Sequence, residues 1–220
     1  MMTDSAWRDT LRALPVFSGE LPGFNTDAAP ESPIPLLEEW LTYAIDSGVS
    51  QPHVMTLATA GADGSPSARN LILKDITDEG LWFASLDNSP KGRELAANPK
   101  AALTLYWREH GRQVRVAGAI EKGPREVSEK DFLARKPAAR AAAIAGPESE
   151  ILASQEKFLE RIEEAKAILD FRPDFVPDEW TAYLVKPSSV EFWQASRDRD
   201  QIRLRYSRDA SGWAKNLLWP

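Results

Sequence analysis

The sequence predicts a mainly β protein, an antiparallel barrel with helices appended to it. Three observations carry that prediction. Short strand-like runs follow one another and are divided by turn signals such as GADGS at 61–65 and TDEG at 77–80. A helical block interrupts them in mid-chain. Strand and helix patterns never alternate regularly, as a doubly wound parallel sheet would require.

The elements follow in chain order. Residues 1–30 mix Pro, Gly and acidic residues without a period, as in PVFSGELPGFNTDAAPESP, and read as an extended N-terminal arm of a kind that orders on a partner subunit. Residues 31–220 read as one domain with a helical insertion at about 125–170. Ile34, Leu37, Leu41 and Ile45 recur at helical spacing with Trp40 and Ala44; Pro35 suits the first turn and Gly48 follows the end. Five strand runs come next: HVMTLATA, SARNLILKD, GLWFASL, AALTLYW and RQVRVAGAIEK. The stretch 128–169 is rich in Ala, Glu and Lys, and Ile151, Leu152, Phe158, Leu159 and Ile162 give it helical spacing. WTAYLVKP, SVEFWQA, IRLRY and GWAKNLL close the chain as further strands.

Composition removes several chemistries. With no cysteine there is no disulfide, thiolate metal site or cysteine nucleophile, and with only His53 and His110 neither a histidine metal site nor a serine-histidine-aspartate triad has much to draw on. Both histidines read as surface or strand-end residues, and no metal is expected. A net charge of −6 argues against sequence-independent nucleic-acid binding. The N-terminus lacks an apolar leader core and no run is long enough to span a membrane, so a soluble cytoplasmic protein is expected.

Four local patterns carry chemistry. In RNLILK, Arg69 and Lys74 bound a strand core; on an ideal strand they face opposite sides, so either a bulge brings both to one ligand or they serve different groups. Edge charges that blunt a strand account for the pattern equally well. In SPKGRELAANP, Ser89 is an N-cap, Pro90 takes the first helical position and Asn98-Pro99 ends the helix. A helix N-terminus disfavours a cation, so Lys91 in that first turn points to an anion seated there; a solvated lysine is the alternative. In RQVRVAGAIEK, Val114, Val116 and Ile120 mark the core face, leaving Gln113 and Arg115 on the other, where Gln113 can address a planar heterocycle or simply be half-exposed. Finally, VEFWQASRDRDQIRLRY sets Arg197, Arg199, Arg203 and Arg205 close behind an aromatic strand, a spacing that suits anion binding.

Taken together, RNLILK, SPKGRELAANP, W-x4-RQVRVAG, FLARKP, EFWQ-x4-R-x3-R and the terminal LxP resemble the FMN-dependent pyridoxamine 5′-phosphate oxidase family over nearly the whole chain, from about residue 34 to 220. The resemblance implies a split β-barrel homodimer with two FMN sites at the subunit interface, a small-molecule substrate and O2 as oxidant, with no nucleic-acid or membrane partner. It places FMN contacts on Arg69, Asn70, Leu71, Ile72, Leu73 and Lys74, and on Ser85, Lys91, Gln113, Ser149, Trp193 and Arg203. It implies that hydride passes from a substrate carbon to flavin N5 and that O2 reoxidises the flavin, giving H2O2. Arg199 and Gln201 would act over the substrate, with Lys74, Asp131 and Arg135 at its anionic group.

On the substrate side the chain departs from the family pattern. Lys74 and Arg135 match, but Asp131 stands at a Tyr position, Ala139 at a Ser position and Gln201 at a His position. Aspartate facing a phosphate is repulsive, and the lost hydroxyls remove two donors. Ala84, Pro90, Glu148 and Leu217 are further departures. KGRELAANP and LYWRE are similar to the family's branch that oxidises reduced phenazine precursors. A same-fold oxidase of another reduced heterocycle, or a non-catalytic flavin-binding protein, is therefore the alternative to a vitamin B6 phosphate oxidase.

Overall fold

The computed structural model describes residues 6–17, 19–198 and 200–220. They form six helices and nine strands, all the strand pairings being antiparallel. Within the arm read as extended, α1 (Ala6–Ala13) is helical, with Trp7 and Leu11 exposed. Helix α2 (Pro33–Asp46) starts with proline in its first turn and buries Leu37, Trp40 and Ala44, as its spacing requires. Strands β1 (Val54–Ala60), β2 (Pro66–Ile72), β3 (Asp75–Thr77) and β4 (Gly80–Leu86) precede α3 (Pro90–Ala97); β5 (Lys100–Trp107) and β6 (Arg112–Lys122) follow it.

The insertion is three helices: α4 (Arg125–Leu133), α5 (Pro137–Ile144) and α6 (Gln155–Phe171). Proline at 137 separates the first two. Contrary to the helical reading of Ile151 and Leu152, both lie exposed in the loop 145–154. Pro147 and the left-handed Ser149 (φ 67°) break the helix there, and α6 begins only where Ser154 caps it by accepting from the Lys157 amide at 3.1 Å.

The two runs WTAYLVKP and SVEFWQA are one strand, β7 (Trp180–Gln194), followed by β8 (Ile202–Asp209) and β9 (Gly212–Leu217). A proline inside a strand is tolerated at an irregularity of the ladder, and the β6–β7 register shifts between Ala117 and Gly118, opposite Pro187. Gly118 is required there, since a Cβ would lie 2.0 Å from the Lys186 carbonyl oxygen. The first half of β7 pairs with β4, the second half with β8, and β6 runs along both. The sheet order is β2-β1-β5-β6-β7-β4-β3, with β8 and β9 branching from β7. This shared strand splits the barrel.

Leu57, Leu103, Val114, Val185 and Phe192 fill the barrel interior, and Trp40 of α2 closes it edge-on against Phe192 at 5.2 Å. Each such side chain, fully buried, contributes roughly 1.5–3 kcal/mol. His110 departs from the surface reading: it is buried in the turn between β5 and β6, its Nε2 2.9 Å from Ser47 Oγ. Among the described residues no helix is long and apolar enough to cross a membrane.

Candidate active site

A cavity of about 780 Å³ opens between β2, β4, α3 and the helical insertion. It gathers Asn70, Leu71 and Ile72 from the end of β2 and Lys74 from just beyond it, Ser85 and Lys91 from β4 and α3, and Arg135 and Ser149 from the insertion. Eight of the residues singled out in the sequence therefore share one space.

Lys91 is almost wholly buried, which removes the solvated-lysine alternative. Its Nζ donates to Ser89 Oγ at 3.2 Å and pairs with the carboxylate of Glu148, reaching in from the loop 145–154. Ser89 caps α3 by accepting from the Gly92 amide at 3.3 Å. The start of α3 thus combines the positive end of a helix, a buried cation and an anion already lying against it.

Lys74 falls beyond the end of β2, where the chain turns: Leu73 N donates to His53 O at 2.9 Å and Lys74 N to Trp82 O at 2.8 Å. Regular alternation ends at that turn, so Lys74 reaches the cavity while Leu73 is buried in the core. Arg69 does not line the cavity. It bonds Thr59 Oγ1 at 2.5 Å and Ser67 Oγ, and its Nη2 pairs with Glu94 at 3.2 Å. Burial raises the Glu94 carboxyl, but the bonds from Thr59 and Arg69 and the Arg69 charge outweigh that and hold it below its ordinary value.

Lys74 has its own carboxylate: Asp131 Oδ1 is 3.2 Å from its Nζ. Asp131 Oδ2 accepts from Trp180 Nε1 at 3.0 Å, and Arg135 stacks over that indole at 4.4 Å. Burial lowers the Arg135 pKa while Asp131 opposes the shift. Neither Trp180 nor Arg161, which line the cavity, was singled out in the sequence, and Phe158, which also lines it, was read there only as part of a helical period. Trp180 reads there as the first residue of a strand, and nothing local marks it as facing a site.

The other residues expected at the site do not line this cavity. Gln113 pairs with Trp193 across β6 and β7, and Trp193 with Arg203 across β7 and β8, so the three form one row on one face of the sheet. Gln201 accepts from Trp193 Nε1 at 2.8 Å. Arg203 donates to Glu191 Oε1 from Nε (3.0 Å) and Nη2 (2.8 Å), and to Trp219 O. Arg199 lies outside the described residues. None of the row lines the cavity of its own protomer.

A long strand shared by two sets of strands, beside a cation-lined cavity at a helix start, defines the split-barrel class. Residues 41–169 match the family model described as pyridoxamine 5′-phosphate oxidase, and residues 180–220 that of the pyridoxine 5′-phosphate oxidase C-terminal dimerisation region. The pyridoxine/pyridoxamine 5′-phosphate oxidase of Thermosynechococcus vestitus is 40% identical over 196 residues, covering 89% of this chain and 92% of its own. That of Burkholderia vietnamiensis is 39% identical over 199 residues, with the same coverage. The crystal structure of PhzG from Burkholderia lata 383, in complex with tetrahydrophenazine-1-carboxylic acid, superposes with a TM-score of 0.85 at 32% identity, covering 92% of this chain and 100% of PhzG. An FMN-binding protein from Nostoc punctiforme shares the fold, with a TM-score of 0.71 at 18% identity over 86% of this chain and 98% of its own. The chain belongs to the pyridoxamine 5′-phosphate oxidase family, which is flavin-dependent, and is an oxidoreductase. The dimerisation-region match supports a homodimer.

Proposed function

We propose that the chain is an FMN-dependent oxidase of a small reduced ring compound, working as a homodimer in which each site is completed across the interface. The observation that supports it most directly is the cavity with two separate cationic points, Lys91 at the start of α3 and Lys74 with Arg135. One suits the flavin phosphate and the other an anionic group of the substrate.

The residues fit FMN. The Glu148 carboxylate against Lys91 stands where a phosphate oxygen would accept the same bond, and the cavity volume lies in the usual range for cofactor sites. Lys91, at the positive end of α3, would hold the phosphate, with Ser85 and Ser149 beside it and residues 70–72 along the ring. The row Gln113, Trp193 and Arg203 lies outside its own protomer's cavity, as residues serving the partner's site would. Gln113 would bond the edge of the ring system and Trp193 would pack against it. When bound, FMN supplies a two-electron acceptor that takes a hydride at N5 and passes the electrons to O2, giving H2O2. Gln201, whose oxygen is engaged by Trp193, keeps its amide N–H groups to orient the substrate, and Arg199 would position it, as the family resemblance implies. None of this requires a protein nucleophile.

The substrate class is either a B6 vitamer phosphate, as the names of the relatives indicate, or a reduced heterocyclic acid such as PhzG was crystallised with. The test is to saturate the purified protein with FMN, exclude oxygen, add pyridoxine 5′-phosphate or a reduced tricyclic acid, and follow the flavin absorbance. Bleaching by one of them that reverses in air is the expected result. Flavin that is not retained, or that only a strong chemical reductant bleaches, overturns the reading.

A further inference from the structure

Lys74, Arg135 and Trp180 line one corner of the cavity, and behind them it is built around one carboxylate, that of Asp131. Asp131 is gripped from two sides, by Lys74 at 3.2 Å and by the indole N–H of Trp180 at 3.0 Å. Trp180 is itself buried and packs edge-on against the fully buried Phe132 at 5.4 Å, so the direction of the carboxylate is set by the core. Arg135 lies over the same indole, its Nη2 donates to the Ala139 carbonyl at 3.2 Å, and its buried Nε has no partner. Two cations and one fixed anion leave this corner a single positive charge and an unused guanidinium donor.

We propose that Asp131 is a charge selector, setting this corner to take a substrate with one negative charge, a carboxylate on a reduced ring, and to reject a phosphate dianion. The proposal rests on the oxidase reading above. A phosphate monoester carries close to two charges above pH 7, and any phosphate that reaches Lys74 arrives beside the Asp131 carboxylate. A monoanion balances the corner, and a carboxylate can use the free Arg135 Nε–H. Asp131 cannot turn aside without leaving the Trp180 N–H unpaired in a buried site.

The test uses the FMN-loaded dimer at pH 8 and two unreactive ligands of one shape, 4-deoxypyridoxine 5′-phosphate and its 5′-sulfate, which differ by one charge. Binding is read from the perturbation of the flavin spectrum, after flavin content has been measured on the same sample. The wild type is expected to bind the sulfate about tenfold more tightly than the phosphate. Asp131→Asn, which keeps an acceptor for Trp180, is expected to tighten the phosphate about tenfold and to move the sulfate by less than about threefold. Equal binding of both ligands by the wild type, a variant that shifts both alike, or binding of neither ligand to flavin-loaded protein overturns the selector and leaves the oxidase reading standing. Loss of flavin from the wild type removes both. The wild-type comparison decides the matter even where the variant does not fold.

Discussion

The cavity and the strand row proposed to serve it from across the interface are held by different forces. The row Gln113, Trp193 and Arg203 crosses three hydrogen-bonded strands, so backbone register fixes which side chains are neighbours. The cavity is assembled from segments far apart in sequence and joined by ion pairs, Lys74 with Asp131 and Lys91 with Glu148. A register resists single substitutions on its open face, whereas each ion pair changes character when one charge is removed. The row is thus the fixed region and the cavity the adjustable one.

The largest effect is expected where the ladder itself is attacked. Gly118→Ala drives a Cβ into the Lys186 carbonyl and should cost about 3 kcal/mol of stability, read as a lower denaturant midpoint. An unchanged midpoint would show that the register does not depend on this close approach. Next, Arg203→Ala should loosen FMN by about thirtyfold, roughly 2 kcal/mol, while the fold persists, because Arg115 remains 3.8 Å from the Glu191 carboxylate that Arg203 leaves behind. A yellow variant with unchanged FMN affinity would take Arg203 out of the flavin site. A smaller change of opposite sign is expected in the cavity. Glu148→Gln removes the carboxylate that contends for Lys91 and should tighten FMN about fivefold, near 1 kcal/mol; weaker binding would make Glu148 a partner of the cofactor instead of its rival.

The same contrast governs what could be read from the sequence. Alternation revealed Val114, Val116 and Gln113 on opposite faces because one pleat carries them all, and helical spacing revealed Leu37 and Trp40. Joining the last runs into β7 required knowing that β6 shifts register opposite Pro187, which is a property of two strands and not of one. In the cavity, local pattern identified Lys91 at a helix start but could not reveal Glu148 as its partner 57 residues away. Ile151 and Leu152 fit a helical period, yet Pro147 and Ser149 between α5 and α6 outweigh it. Whether Asp131 faced Lys74 was open until Trp180, brought alongside by β7, showed which way the carboxylate turns.

The smallest predicted effect separates the two regions by pH. His110, at the turn that leads into β6, is held below its ordinary pKa by burial and by the Arg112 charge. Its folded value therefore lies beneath 6.5, the unfolded chain takes up the proton first, and stability falls as pH drops from about 6.5 toward that folded value. Glu94, on the cavity side, is also depressed, but its contribution is complete above the unfolded value of 4.5 and fades as pH falls through the folded one. Melting temperature followed from pH 8 to pH 3 should accordingly decline in two windows. His110→Gln should flatten only the upper window and Glu94→Gln only the lower. Because Glu94 restrains Arg69 next to the cavity, raising the salt concentration should shrink the lower window, since screening weakens that pair, and should leave the upper one, which burial dominates, nearly unchanged. A single window removed by either variant would mean that the two regions unfold as one electrostatic unit.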